Sequence, residues 1–259
     1  MNHSLTASSP VSKRLSPRKM AFITGTLLLT STGFICRILG FFYRIFMSRT
    51  IGAEGLGIYN MVHPIFSICF AVCAGSIQTA LSQYVAANQT RGRAVFRTGL
   101  VIAMGMSFLL AWVIYGNAGF LAEKLLLEPR CAPYLPVMAV SVPFAALHAC
   151  INGYYYGMQK ARVPAFSQVA EQVIRMGAVF LIASIWLESG RQITVSLAVY
   201  GHLIGEMASA VFTVFCLGFF PPCKDGDSRR APAIPLSFGA TAAPLMALAL
   251  PLMGNRLIL

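Results

Sequence analysis

Seven stretches of about twenty or more mainly apolar residues recur along this chain, at residues 21–43, 59–86, 96–116, 134–157, 164–187, 193–220 and 233–253. Wound as an α-helix, a run of that length matches the hydrocarbon core of a bilayer, about 30 Å thick. Lipid offers the backbone no hydrogen-bond partners, so each spanning segment has to satisfy itself, which a helix does. The chain therefore reads as an all-α polytopic membrane protein with about seven transmembrane helices. A composition of 57% hydrophobic and 11% charged residues excludes an ordinary soluble domain. Gly52, Gly55 and Gly57 fall between the first two stretches and predict a loop there.

The net charge of +12 would suggest nucleic acid in a soluble protein. In a membrane protein the same residues are topology signals, and no nucleic-acid partner is expected. With alternate loops assigned to alternate sides, twelve Lys and Arg fall on the N-terminal side and six on the other, while Arg37 and Arg175 lie within helices. That bias predicts a cytoplasmic N-terminus. Lys13, Arg14, Arg18 and Lys19 resemble the start of a signal peptide, but the apolar run after them is too long for one, so it reads as a retained first helix. The organisation expected is a basic cytoplasmic tail over 1–19, a six-helix unit over 20–220, a cytoplasmic linker over 221–232, rich in Pro, Gly and charge, and a single helix in 233–259.

Charges inside apolar helices are costly and need a reason. Arg37 and Arg44 are seven apart, about two turns, so they share one helix face with Gly40 between them. The small glycine leaves room for a ligand or a neighbouring helix. Arg37 predicts contact with an anion, and Arg44 fits that role as well as it fits snorkelling to the interface, which suits Arg49. Glu171 and Arg175 have the i, i+4 register of an intrahelical ion pair, compatible with a structural pair or with a substrate contact shared with Arg37. Glu206 follows His202 by one turn and is a candidate structural or coupling carboxylate. His63 and His148 read as lone histidines making packing hydrogen bonds.

The remaining motifs are structural. Cys69 and Cys73 lie four apart without a histidine or carboxylate pattern, so no metal site is expected. Tyr154, Tyr155 and Tyr156 suit an interfacial belt, and Gly153 and Gly157 have the spacing that lets helices approach closely. Nothing resembles a P-loop, an HExxH helix or a nucleophile elbow, so neither an enzyme nor a cofactor is expected.

Taken together, several runs resemble a known family: Gly25-Thr-Leu-Leu-Leu-Thr30, Cys36-Arg-Ile-Leu-Gly-Phe-Phe-Tyr-Arg44, Ser48-Arg-Thr-Ile-Gly-Ala-Glu-Gly-Leu-Gly-Ile-Tyr59, Gly75-Ser-Ile-Gln-Thr-Ala-Leu-Ser82 and Gln168-Val-Ala-Glu-Gln-Val-Ile-Arg175. Over about residues 20–220 the chain is similar to the polysaccharide-transport branch of the multidrug/oligosaccharidyl-lipid/polysaccharide exporter superfamily. The resemblance implies two six-helix lobes moving by alternating access, so that 233–259 would begin a second lobe and the chain would be a fragment or would work as a homodimer. It also implies a location in the inner (cytoplasmic) membrane and a lipid-linked sugar of the undecaprenyl pyrophosphate type as cargo. First-helix arginines engaging the pyrophosphate map onto Arg37. Arg44 departs from the pattern, because the lipid II flippases place their second arginine one residue earlier and follow it with an aspartate, and here Ile45 stands in that place. A cation-coupled drug antiporter leaning on Glu206, and a membrane scaffold for cell-wall synthesis, are the other readings.

Overall fold

The computed structural model describes residues 17–222 and 238–258. Most of the expected tail and most of the expected linker lie outside those residues. The described residues form seven long helices and short helical turns, with no strand among them. We number the helices α1 (Pro17–Phe70), α2 (Ser76–Ala87), α3 (Gly92–Gly116), α4 (Leu135–Gly157), α5 (Arg162–Glu188), α6 (Ser196–Phe219) and α7 (Phe238–Ile258). Five stretches are long and apolar enough to cross a membrane, and the first covers 65 residues, Ile23–Ala87. At 1.5 Å per residue that is roughly 100 Å, enough for two passes.

The loop expected at Gly52, Gly55 and Gly57 shrinks to a kink. Two helices meet within α1 at Gly52, which alone leaves helical geometry, at φ 74° and ψ 173°. A side chain is disfavoured at that φ, so glycine is what permits the bend there. Gly55 stays helical and packs against Val195 at the start of α6. The second expected helix is interrupted rather than uniform: Ala71–Gly75 widen into a π turn. Ser76 closes that turn by donating its hydroxyl to the Ala71 carbonyl at 2.7 Å. Such turns re-aim side chains without ending a helix.

α4 is the central element, packed by α1, α2, α3 and α6. Lipid tails are as apolar as leucine, so this packing rests on close van der Waals fit rather than on hydrophobic expulsion from water. The two glycines of α4 show how the fit is obtained. A Cβ on Gly153 would lie 2.7 Å from the Gln78 carbonyl oxygen, and one on Gly157 would lie 2.6 Å from the Val85 Cβ. Gly153→Leu should therefore destabilise the bundle by about 2 kcal/mol or more. Gly177→Leu, where nothing lies within 4 Å, should change it little. Thermal unfolding of both variants in detergent checks this, and equal midpoints would contradict the packing.

Two further contacts close the bundle. Tyr155, buried on α4, directs its hydroxyl at the carbonyls of Cys216 (2.9 Å) and Phe220 (2.8 Å), at the C-terminal end of α6. α7 packs on α2 and α3, with Thr98 and Thr241 sharing a buried hydroxyl contact of 2.8 Å. Its Arg256 reaches the π turn, where the guanidinium fills the space a Cβ on Gly75 would need and donates to Thr79 at 3.2 Å. At another connection, Arg130 bonds both Glu128 and Glu54, tying the 117–134 segment to the residues just after the Gly52 bend. That hydrogen bond holds the Glu128 carboxyl below the usual carboxylate range.

Candidate functional site

Three helices carry polar residues at helical spacing on the faces they turn to one another. On α4 these are His148, Asn152 and Tyr156. On α5 they are Ser167, Gln168, Glu171 and Arg175, and on α6 His202 and Glu206. Residues four apart stack on one helix face, so each set makes a stripe. With His63, Phe66 and Phe70 of α1 and Gln78 of α2 they line a cavity of about 390 Å³.

The chemistry centres on Glu206, whose side chain is only 6% exposed. His148 Nε2 lies 3.0 Å from its Oε2, and the Arg175 guanidinium lies 3.5 Å from its Oε1. Arg175 also donates to Glu171, in the i, i+4 register the sequence predicts. His202 Nε2 stands 3.9 Å from Glu206, too far for a hydrogen bond, and its ring packs edge-on against Phe66 with centroids 4.4 Å apart. Arg175 approaches Glu206 so closely because α6 has no side chain in its way: a Cβ on Gly205 would fall 2.7 Å from Arg175 Nε. The Ser167–Ser209 hydroxyl contact, 2.9 Å, fixes the same helix pair one step along.

Several buried polar atoms here have no partner, among them His148 Nδ1, Asn152 Oδ1, Arg175 Nε and both ring nitrogens of His202. Buried polar groups are normally satisfied, by protein or by ordered water. One ligand atom each from His148, Glu171 and Glu206 lie within 4.8 Å of one another, a spacing a metal ion could use. Arg175 already answers two of those three donors with a positive charge.

The sequence candidates divide between two places. Glu171, Arg175 and Glu206 come together in the cavity. Arg37 is exposed and makes no hydrogen bond or ion pair with the described residues. Gly40 is half-buried and faces the Gln172 amide of α5, 3.7 Å from where its Cβ would be, so it seats a neighbouring helix as its size allows. Arg44 is exposed, yet close enough to Tyr59 and His63 to act on both electrostatically. The arginine face of α1 thus runs along the flank of α5 that carries the ion pair. His148 makes the helix-packing hydrogen bond expected of it, but to the Glu206 carboxylate, so it is a member of the site rather than a lone histidine; Asn152 is a candidate the sequence reading did not single out. The signal that could have found them is the four-residue spacing of 148, 152 and 156 on an otherwise apolar helix.

Comparison with known proteins bears on what such a site serves. The family model for polysaccharide biosynthesis proteins matches residues 22–259, nearly the whole chain. The chain belongs to this family. Among individual relatives it is similar to stage V sporulation protein B of Bacillus subtilis (strain 168), 30% identical over 246 residues, covering 93% of this chain and 47% of that protein. It is also similar to the lipid II flippase MurJ of the same organism, 23% identical over 206 residues, covering 73% of this chain and 38% of that one. A third, sporulation protein YkvU, is 18% identical over 192 residues, 74% of this chain and 42% of its own. The chain spans less than half the length of these relatives, and none of their names describes a catalysed reaction. Membership of this family and the long apolar helices make it a multi-pass membrane protein, in the superfamily branch that its first-helix residues resemble.

Proposed function

We propose that this protein acts in moving a lipid-linked oligosaccharide or peptidoglycan precursor across the cytoplasmic membrane by alternating access. The observation that carries the reading is the pair of exposed first-helix arginines, Arg37 and Arg44, on a chain that is similar to a named lipid II flippase. An exposed guanidinium with no ion-pair partner among the described residues is suited to an anionic group, and its planar fork matches a phosphate bidentately. Arg37 is the principal contact for the pyrophosphate, Arg44 a second, and Arg175 a third that shares its charge with Glu171 and Glu206. Gly40 keeps that face slim. The lipid tail stays in the bilayer.

In this reading residues 1–19 lie in the cytoplasm, consistent with the basic bias of the N-terminal side, and 221–232 form a cytoplasmic linker. Residues 20–220 are one lobe. Residues 233–259 open a second, which the greater length of the relatives supports, or the partner is a second copy of the chain. The membrane is the inner one.

The test is reconstitution of a version with a second lobe in proteoliposomes, with a fluorescent undecaprenyl-pyrophosphate-linked sugar in both leaflets. A flippase exposes the label of the inner leaflet to an external quencher, and an unchanged protected fraction would overturn the reading. A cation-coupled drug antiporter is favoured by one observation, the buried Glu206 with its histidines. It would instead extrude an organic cation from the same vesicles.

A further inference from the structure

Counting charges in the buried cluster leaves it one positive charge short. Glu171 and Glu206 contribute two negative charges and Arg175 one positive, while neutral histidines contribute none. An unbalanced charge inside a membrane bundle is strongly disfavoured and calls for a partner. The cluster lies between helices, with the side chains of Glu171, Arg175 and Glu206 19%, 16% and 6% exposed.

We propose that the cluster is a binding site for one exchangeable proton, carried by the His148–Glu206 pair. The geometry chooses the atoms. His148 Nε2 faces a carboxylate oxygen at 3.0 Å, so in the neutral ring the proton already sits on Nε2 and Nδ1 is an acceptor. Nδ1 is buried without a donor, and so is the carbonyl oxygen of Asn152, one turn along α4 in the same cavity. Both atoms are acceptors, and neither has a donor among the described residues. A proton added at Nδ1 converts one acceptor into a donor and brings the cluster to neutrality.

Every other titratable or charged group facing the pair argues for this placement. On α1, His63 is half-buried and its Nδ1 contacts the Ser67 hydroxyl at 3.3 Å. Tyr43 and Tyr59, also on α1, carry no charge, and Arg44, though positive, is exposed and makes no ion pair with either carboxylate. On α6, His202 has neither nitrogen bonded and stands farther from Glu206 than His148 does. On α5, Glu171 is taken by Arg175. A metal ion at the same donors would have to sit against the Arg175 guanidinium, whereas a proton displaces nothing. For transport, and only if the flippase reading holds, a proton on His148 satisfies Glu206 and leaves Arg175 freer for an anion. Proton and anionic cargo would then bind with positive linkage, each favouring the other.

The experiment is nitrogen NMR of the 259-residue chain, labelled with ¹⁵N-histidine, in lipid nanodiscs without cargo, titrated between about pH 5 and about pH 8. The expected result is one buried imidazole, identified by its loss in His148→Asn, that converts to imidazolium. In Glu206→Gln and in Glu171→Gln the cluster is already neutral, and the same imidazole should bind its proton at least ~10-fold more weakly. Glu171→Gln keeps the His148–Glu206 pair intact, so it decides the matter if Glu206→Gln does not fold. Wild-type His148 remaining neutral throughout would overturn the proposal. So would titration unchanged in both variants, or signals that respond to sodium chloride against choline chloride but not to pH. Because no cargo is present, a failure of the flippase assignment leaves these outcomes unaffected.

Discussion

Arg37→Ala, made in a version that carries a second lobe, should lower transport of the lipid-linked precursor ~100-fold or more while leaving the protein inserted and folded. The size follows from the bonds at stake. A hydrogen bond to a charged group contributes about 1.5–3 kcal/mol, and a bidentate guanidinium–phosphate contact makes two. Losing ~3 kcal/mol of transition-state stabilisation is about a hundredfold in rate. The fold should not notice, because Arg37 is exposed and bonds to none of the described residues. Arg37→Lys keeps the charge and loses the fork, so it should fall between the two. Label flipping in proteoliposomes, beside detergent-extracted yield and melting temperature, measures both halves. Full transport by the alanine variant would remove Arg37 from the mechanism.

Arg175→Gln should have the opposite profile: a stability loss first and a transport loss as its consequence. The guanidinium lies between two carboxylates whose side chains are 19% and 6% exposed. Removing it leaves two negative charges facing each other in a buried site, and breaking a buried ion pair from one side costs about 3–5 kcal/mol. The diagnostic is the second substitution. Arg175→Gln combined with Glu206→Gln removes one of the stranded charges and should recover a good part of the loss, whereas independent effects would add. Thermal unfolding of the two single variants and the double variant in detergent gives the coupling. A single variant as stable as the wild type, or strict additivity, would show that the three groups do not act as a unit.

How much of this was legible in the sequence depended on distance along the chain. Glu171 and Arg175 are one turn apart, and their pairing is a property of the helix itself, readable wherever helix is expected; His202 and Glu206 share that spacing without bonding. The link between His148 and Glu206 joins residues 58 apart. Nothing local announces it, and it forms because α4 and α6 pack together. The glycines at 52, 55 and 57 misled for a related reason. Glycine weakens a helix in isolation, but here two of the three stay helical, one of them against α6, and only Gly52 uses its conformational freedom. The π turn at 71–75 and the guanidinium of Arg256 against it left no trace in the periodicity, because one extra residue per turn over a single turn is invisible to a pattern read over two or three.

Tyr155 and His148 sit seven residues apart on α4, which is about 10 Å along a helix axis. The first clasps the last carbonyls of α6, where the chain departs toward residues 223–237, and the second holds Glu206. A pull on the departing chain is therefore borne by the same stiff rod that carries the histidine. The end of α6 and the electrostatics of the cavity are thereby tied to one helix.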